Sequence, residues 1–327
     1  MLKKLGQLFI IGLDGVSPSD EFLEFCSTEN IGGVILFEEN CEPHSLAEKS
    51  IKKIMAVTGA IPFIGVDQEG GRVCRFRGAP AEILAPSEYG LRNDTEEFAE
   101  HFTRSAYYLY SLGINLIFGP VTDLALNNNN KCLEGRTFGK NPAKVIPFID
   151  KAIRISNKIG LLSCLKHFPG FGAATVDPHQ QVATADYDYQ TFINREALTF
   201  KAGISAGADM VMTTHLILTS IDDQPATVSE KIVKKLLRNT LGFDGIVITD
   251  DLFMKGADNL GDYGERALQA FNAGHDMLLF GRDFMAVKNV IEYFKEAYRK
   301  GHIDNSRLEA SLDRISGVKS KLTVPAT

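Results

Sequence analysis

The chain has 327 residues, with 35 lysines and arginines against 41 aspartates and glutamates, and a formal net charge of -6 at pH 7. This balance excludes the basic surface with which proteins bind nucleic acid or an anionic membrane, so we expect neither as a partner. Apolar residues make up 44% of the chain, enough for a soluble protein with a sizeable core. Five scattered cysteines without a CxxC pair favour a reducing compartment and indicate neither a metal site nor a thiol nucleophile.

The chain starts with MLKKLGQLFIIGLDG, in which two lysines precede an apolar segment as they do in a signal peptide. The segment is short, contains Gln7 and runs into Asp14 without a small-residue cleavage site, so we interpret it as a first strand. No stretch of the sequence is long and apolar enough to cross a bilayer. We therefore expect a soluble, cytoplasmic protein.

Short apolar runs alternate with amphipathic helical patterns along the whole chain. The predicted strands are 8–13, 32–37, 62–67, 114–120, 161–168, 209–215, 245–251 and 276–281. Helices such as LAEKSIKKIMAV and SEKIVKKLLRNTLG follow them, and two further helices at about 286–322 close the chain. Strands that are apolar throughout and alternate with helices predict an α/β fold, a (β/α)8 TIM-type barrel forming a single domain over residues 1–327. The alternative is an open doubly wound sheet, but no GxGxxG follows the first strand.

In such a barrel the chemistry gathers where the strands end. Ionisable residues follow nearly every predicted strand: Asp67 and Arg75, Asp123 and Arg136, Lys166 and His167, His215, Asp250 and Asp251, and Arg282. We expect these side chains to converge on one pocket. Asp123 and Asp251, taken singly, are equally well explained as helix caps, and His215 as a half-buried histidine with its hydrogen bonds satisfied.

One loop stands out, in the stretch LKHFPGFGAATVDPH at residues 165–179, because its glycines and alanines pack little and favour movement. It ends in Asp177 and His179, and an imidazole held in one tautomer by a carboxylate can donate a proton near neutrality. Asp250, at the end of a rigid strand, is a candidate nucleophile for glycosyl transfer. Metal-assisted hydrolysis, with His167, His179 and His215 as ligands, is disfavoured by the missing HxH pair and by Lys166 beside His167.

Four segments, VDQEGGRVCRF, LEGRTFG, LKHFPGFGAATVDPH and GFDGIVITDDLFM, resemble in this order the family 3 glycoside hydrolases. The chain is most similar to their single-domain bacterial β-N-acetylglucosaminidases, which act on muropeptide-type sugars in cell-wall recycling. The resemblance implies that Asp250 is the nucleophile and that Asp177 and His179 form the acid/base dyad. It implies sugar contacts from Asp67, Arg75, Arg136, Lys166 and His167, to which we add His215.

The chain departs from this family at two positions of the loop. Phe171 stands where a second histidine is usual, and an aromatic ring cannot join a polar network. Pro178 stands where serine is common and stiffens the loop between the two members of the dyad. Neither departure removes a reacting group.

We therefore expect a retaining exo-β-N-acetylglucosaminidase that releases terminal GlcNAc from small soluble β-glycosides by double displacement, without a metal or an organic cofactor. The absence of tryptophan favours a small substrate over a polysaccharide, because long clefts commonly use aromatic platforms. The alternatives are a β-glucosidase, a phosphorylase whose neutral histidine would not repel phosphate, a non-catalytic sugar-binding sensor, and a metal-dependent hydrolase.

Overall fold

The computed structural model describes residues 1–174 and 182–322, and its centre is a parallel sheet that closes on itself. Eight strands form this sheet within the described residues. In chain order they are β1 (Phe9–Gly12), β2 (Gly33–Leu36), β3 (Phe63–Val66), β4 (Leu116–Ile117), β5 (Leu162–Phe168), β6 (Met210–Thr213), β7 (Ile246–Ile248) and β8 (Leu278–Phe280). Strand β8 pairs with β1, and a parallel bridge between Ile248 and Met277 completes the ring. The predicted (β/α)8 barrel is confirmed.

Each predicted strand exists, but the hydrogen-bonded ladders are shorter than the apolar runs. The largest difference is at β4, predicted over 114–120 and observed over Leu116–Ile117. Gly119 and Pro120 follow after Phe118, and proline cannot donate to a ladder. Two small pairs lie outside the barrel: Gln68–Gly70 with Val73–Cys74, antiparallel, and Ala183–Ala185 with Leu216–Leu218, parallel.

Helices surround the barrel, and seven of the eleven α-helices in the described residues begin at a residue whose side chain accepts a hydrogen bond from the first turn. Asp94, Asn141 and Asp262 are examples of such caps. The α-helices are Asp20–Glu29, Glu38–Cys41, His44–Val57, Pro86–Arg92, Thr95–Ser111, Pro142–Ile159, Tyr189–Asn194, Glu196–Ser205, Tyr263–Ala273, Phe284–Arg299 and Asn305–Lys319. Lys231–Thr240 is a π-helix, and Leu2–Leu8, Lys131–Leu133, Ala226–Val228 and Lys255–Leu260 are 3-10 helices.

The last α-helix, Asn305–Lys319, covers the end of the barrel where the strands begin. Asp276, two residues before β8, is completely buried and receives the guanidinium groups of Arg238, Arg307 and Arg314. Lys321 reaches Asp209, immediately before β6, at 2.7 Å. These ion pairs fasten the C-terminal segment to the bottom of the barrel and leave the opposite end open.

One continuous apolar core runs from Leu5 to Leu322 and contains the barrel strands. Cys164 is part of it, and of the remaining cysteines only Cys132 is partly exposed. Within the described part of the chain, none of the helices combines the length and apolarity that spanning a membrane requires.

Candidate active site

A cavity of about 570 Å³ opens where the barrel strands end. The structure brings eight of the residues predicted at strand exits together in its wall: Asp67, Arg75, Arg136, Lys166, His167, Asp250, Asp251 and Arg282. They come from the exits of β3, β5, β7 and β8 and from the segment between β4 and the next α-helix. Apolar side chains such as Met212, Met254 and Leu279 complete the lining. This mixture of apolar surface and a few convergent polar groups is typical of a small-molecule site.

A buried network of ion pairs holds the cationic side chains. Glu69, whose side chain is 1% exposed, accepts from Arg136 at 2.7 and 2.8 Å and from Lys166 at 2.7 Å. Asp67 accepts from the same lysine at 2.6 Å and from Arg75 at 3.2 Å. The network therefore fixes three cations with two carboxylates, one of which, Glu69, we did not predict.

The charges of this network are stable towards pH. Burial alone would raise the pKa of Glu69, but Arg136 and Lys166 overcome it and hold that pKa well below its usual range. Burial likewise opposes the charge of Asp67, yet the same lysine and Arg75 lower its pKa. Conversely, the two carboxylates raise the pKa of Lys166 against the effect of burial. Each group thus keeps its charge through the neutral pH range.

The local sequence explains how Asp67 and Arg75 meet. The residues after Asp67 form a tight hairpin whose Gly70 and Gly71 have φ of 103° and 57°, a region that favours glycine. A Cβ on Gly70 would lie 2.1 Å from the carbonyl oxygen of Leu84, so the hairpin also needs glycine for space. The side chain of Gln68 accepts from the backbone amide of Arg75 at 3.0 Å and anchors the returning strand.

His167 occupies the cavity wall between a carboxylate and a guanidinium. Its Nδ1 lies 2.7 Å from Asp123 Oδ2, and its Nε2 lies 3.4 Å from Arg136 Nη2. Asp123 is buried and caps no helix; its other oxygen accepts from the backbone amide of Phe171 at 2.6 Å. The Phe171 ring lines the cavity beside His167, with ring centroids 6.4 Å apart. The interpretation of Asp123 as a helix cap is therefore wrong.

Asp250 and Asp251 form the turn that leaves β7. The backbone of Asp250 donates to Thr213 on β6 at 3.0 Å, and its Oδ1 accepts from the Asp251 amide at 2.9 Å. Asp251 caps no helix: its Oδ1 joins the exits of β7 and β8 by accepting from Phe253 at 2.9 Å and Gly281 at 3.0 Å. Burial raises the pKa of Asp251, and these two amides oppose the rise.

The structure corrects the predicted role of His215. The side chain is completely buried and does not line the cavity. Its Nδ1 bonds to the Thr227 hydroxyl at 2.7 Å, and its Nε2 donates to the backbone carbonyl of Asp251 at 2.9 Å. With both nitrogens engaged by protein, His215 supports the Asp250 turn from below instead of contacting substrate.

The remaining predicted residues, Asp177 and His179, lie outside the described residues, as does Pro178.

Sequence reasoning missed two groups besides Glu69. Arg72 donates to the carbonyls of Lys131, Cys132 and Glu134, and so holds the segment that carries Arg136. Phe37 lies at the cavity edge, with the guanidinium groups of Arg75 and Arg282 at 5.9 and 5.2 Å from its ring centroid. For Glu69 the sequence did offer a signal, because the two glycines that follow it indicate a tight turn after a strand.

Nothing in residues 1–174 and 182–322 groups three or more His, Cys, Asp or Glu side chains around a position for a metal ion. The arrangement instead places Asp250, whose carboxylate accepts from the Asp251 amide and has no cation partner among these residues, in the wall of a cavity rich in donors. Such an arrangement can bind a polyhydroxylated molecule through charge-assisted hydrogen bonds and attack it with an anionic oxygen.

Comparison with known proteins agrees with this chemistry. The chain matches the model of the glycosyl hydrolase family 3 N terminal domain over residues 1–318. A beta-hexosaminidase of Actinobacillus pleuropneumoniae serotype 3 (strain JL03) is 33% identical over 294 residues, which is 88% of this chain and 85% of that protein.

Two solved structures have the same fold. A glycoside hydrolase family 3 beta-N-acetylglucosaminidase from Paenibacillus sp. str. FPU-7 superposes with a TM-score of 0.95 at 28% identity, covering 100% of this chain and 64% of that one. The chain therefore spans about two thirds of that larger protein. A beta-N-acetylhexosaminidase from Beutenbergia cavernae DSM 12333 gives a TM-score of 0.89 at 27% identity and covers 98% of both chains.

Proposed function

Because the chain belongs to glycosyl hydrolase family 3, we propose that this glycoside hydrolase is a retaining exo-β-N-acetylglucosaminidase. The observation that carries the proposal is the position of Asp250 in the cavity wall, where Asp67 and Lys166 are held in ion pairs while the Asp250 carboxylate faces no cation among the described residues. Among residues 1–174 and 182–322, the Asp251 amide is the group that donates to the Asp250 carboxylate. The carboxylate thus remains available to attack an anomeric carbon.

The proposed reaction has two displacements. Asp250 attacks the anomeric carbon and forms a glycosyl ester while His179, oriented by Asp177, protonates the departing oxygen. The same histidine then removes a proton from water, which attacks the ester and releases the sugar with its original configuration. Lys166, Asp67 and Arg75 hold the sugar hydroxyls, and Arg136 and His167 bind beside them.

The charges around the cavity favour this reaction. Asp67, Glu69 and Asp123 supply three negative charges, which Arg75, Arg136 and Lys166 balance. Asp250 is then an additional negative charge that faces the reacting carbon. An oxocarbenium-like transition state carries positive charge, so it is stabilised more than the neutral substrate is.

The cavity also bears on substrate size. A volume of about 570 Å³, closed below by the barrel, is large enough for a terminal sugar. We therefore propose terminal N-acetylglucosamine on small β-glycosides, such as muropeptide fragments, as the substrate, and the cytoplasm as the place where they are cleaved.

The test is release of p-nitrophenol from its β-N-acetylglucosaminide by wild type, Asp250→Asn and, as a matched control, Asp244→Asn on the exposed segment before β7. Asp250→Asn should lower kcat by about 1000-fold or more, and Asp244→Asn should leave it unchanged. Proton NMR should show the β-anomer of N-acetylglucosamine before mutarotation. Initial release of the α-anomer would refute double displacement.

The same assay with other substrates and additives distinguishes the alternative activities. Preference for the β-glucoside would overturn the N-acetyl specificity, and a rate increased by phosphate with formation of a sugar phosphate would indicate phosphorolysis. Inhibition by a chelator would indicate a metal-dependent hydrolase. Absence of turnover on all substrates, together with binding of N-acetylglucosamine, would indicate a non-catalytic sugar-binding sensor.

A further inference from the structure

The two ring nitrogens of His167 have neighbours of opposite character. Nδ1 lies 2.7 Å from Oδ2 of Asp123, a carboxylate that can only accept a hydrogen bond. Nε2 lies 3.4 Å from Nη2 of Arg136, a guanidinium that can only donate. The first neighbour requires a proton on Nδ1, and the second requires a lone pair on Nε2. Both requirements are met by one state, the neutral imidazole protonated at Nδ1.

We propose that Asp123 is a positioning residue that fixes His167 in this tautomer, so that the single lone pair of Nε2, which takes the long 3.4 Å contact from Arg136 in this structure, accepts instead from a sugar hydroxyl when substrate binds. This inference rests on the proposed function for its substrate, although the tautomer itself does not depend on it. Around His167, the cations Arg75, Arg136 and Lys166 are paired with the carboxylates of Asp67 and Glu69. His167 adds a neutral acceptor to them, which suits a hydroxyl donor better than an ammonium or a guanidinium does.

Asp123 is built into the site through both of its carboxylate oxygens. Oδ2 accepts from the backbone amide of His167 at 3.1 Å as well as facing its ring. Oδ1 accepts from the backbone amide of Phe171 at 2.6 Å. The side chain is completely buried, so water does not substitute for these partners. One carboxylate thus holds the histidine ring and both ends of the turn His167–Phe171.

Asparagine at this position has almost the same shape but only one accepting oxygen. If its NH2 group faces Nδ1, the imidazole must carry its proton on Nε2, which then points at the Arg136 donor and no longer accepts from substrate. If the NH2 group faces Phe171, two donors oppose each other at the base of the turn. Loss of one buried hydrogen bond to substrate corresponds to roughly a 10- to 100-fold decrease in kcat/KM.

The direct test is the tautomer, read from long-range proton–nitrogen correlations of protein labelled with 15N-histidine, with His167→Gln to assign the signals. The wild type should show Nδ1 protonated and Nε2 unprotonated at pH 7, and N-acetylglucosamine should shift the Nε2 resonance. A wild-type ring protonated at Nε2, or at both nitrogens, would overturn the proposal. This readout needs no turnover, so it stands even if the proposed substrate is wrong.

Asp123→Asn is then compared with Asp209→Asn as a control. Asp209 is similarly buried, but it lies at the far end of the barrel, where it accepts a hydrogen bond from the Ser163 amide at 3.0 Å. Asp123→Asn should lower kcat/KM by roughly 10- to 100-fold, and it should move the proton to Nε2 if its NH2 group faces Nδ1. Asp209→Asn should do neither. Equal kcat/KM in the two variants contradicts the positioning role. If Asp123→Asn does not fold, the wild-type spectrum still decides.

Discussion

Replacement of Glu69 by glutamine removes the charge at the centre of the buried network with little change in volume. Glu69 accepts from Arg136 at 2.7 and 2.8 Å and from Lys166 at 2.7 Å, and its side chain is 1% exposed. Glutamine offers these cations one oxygen and turns an NH2 group towards one of them. Lys166 keeps its ion pair with Asp67 at 2.6 Å, so the guanidinium of Arg136 loses more of its carboxylate contacts than the lysine does.

Breaking a buried ion pair on one side costs about 3–5 kcal/mol, because the partner charge stays desolvated. For a chain of 327 residues the entropy of unfolding is about 0.7 kcal/mol per kelvin, so Glu69→Gln should lower Tm by about 4–7 °C at pH 7. The matched control is Glu134→Gln, whose carboxylate is 67% exposed and pairs with Lys131 at 3.5 Å. That change should cost less than about 0.5 kcal/mol.

The pH dependence follows from the depressed pKa of Glu69. In the unfolded chain this carboxyl titrates near 4.5, whereas its pKa in the folded protein is lower. Its contribution to stability is therefore complete above pH 4.5 and is lost as the pH falls through the folded pKa. Differential scanning calorimetry should show a constant difference between wild type and Glu69→Gln from pH 6 to 8, and a smaller one at pH 3.5. A Tm equal to that of Glu134→Gln, or a difference that grows in acid, would refute the reasoning.

Two further predictions concern the buried imidazole of His275 and the partly exposed thiol of Cys132. Burial lowers the pKa of His275 to about 4 from 6.5, so the unfolded chain binds more protons between these values and stability should fall by about 3 kcal/mol as pH decreases across them. His275→Gln, which can still bond to Thr213 and Ala270, should flatten this slope in urea titrations, and an unchanged slope would contradict the assignment. Cys132 lines the cavity and is the partly exposed cysteine, so one thiol should react rapidly with Ellman's reagent and N-acetylglucosamine should slow it. A fast phase that survives in Cys132→Ser would show that another thiol is responsible.

The barrel could be predicted because its strands are continuous apolar runs, and the position of Asp67, Lys166, His167 and Asp250 follows from where those runs end. A parallel barrel places every strand exit at one end, so no distance information is needed to bring these groups together. The strand limits were less predictable, because an apolar residue that packs below a loop looks the same in sequence as one in a ladder.

The partners of the site residues could not be predicted in the same way. Glu69 and Arg136 are 67 positions apart, and Asp123 and His167 are 44 apart, so no local pattern connects them. For His215 the error was the reverse, because the sequence predicted a contact with substrate that the structure does not provide. It follows a strand as a site residue does, but the 3-10 helix Ala226–Val228 packs Thr227 against its Nδ1 and closes it off from the cavity.

Phe171 shows why a departure from a family pattern has to be judged at the level of atoms. The sequence predicts that a phenylalanine in this position leaves the polar network incomplete. In the structure, the polar contribution of residue 171 to the site is its backbone amide, which donates to Asp123 at 2.6 Å. Any residue other than proline supplies that donor. The ring is buried and places an apolar neighbour beside His167. A drier environment strengthens the bond between His167 and Asp123, so the substitution is compatible with an intact site.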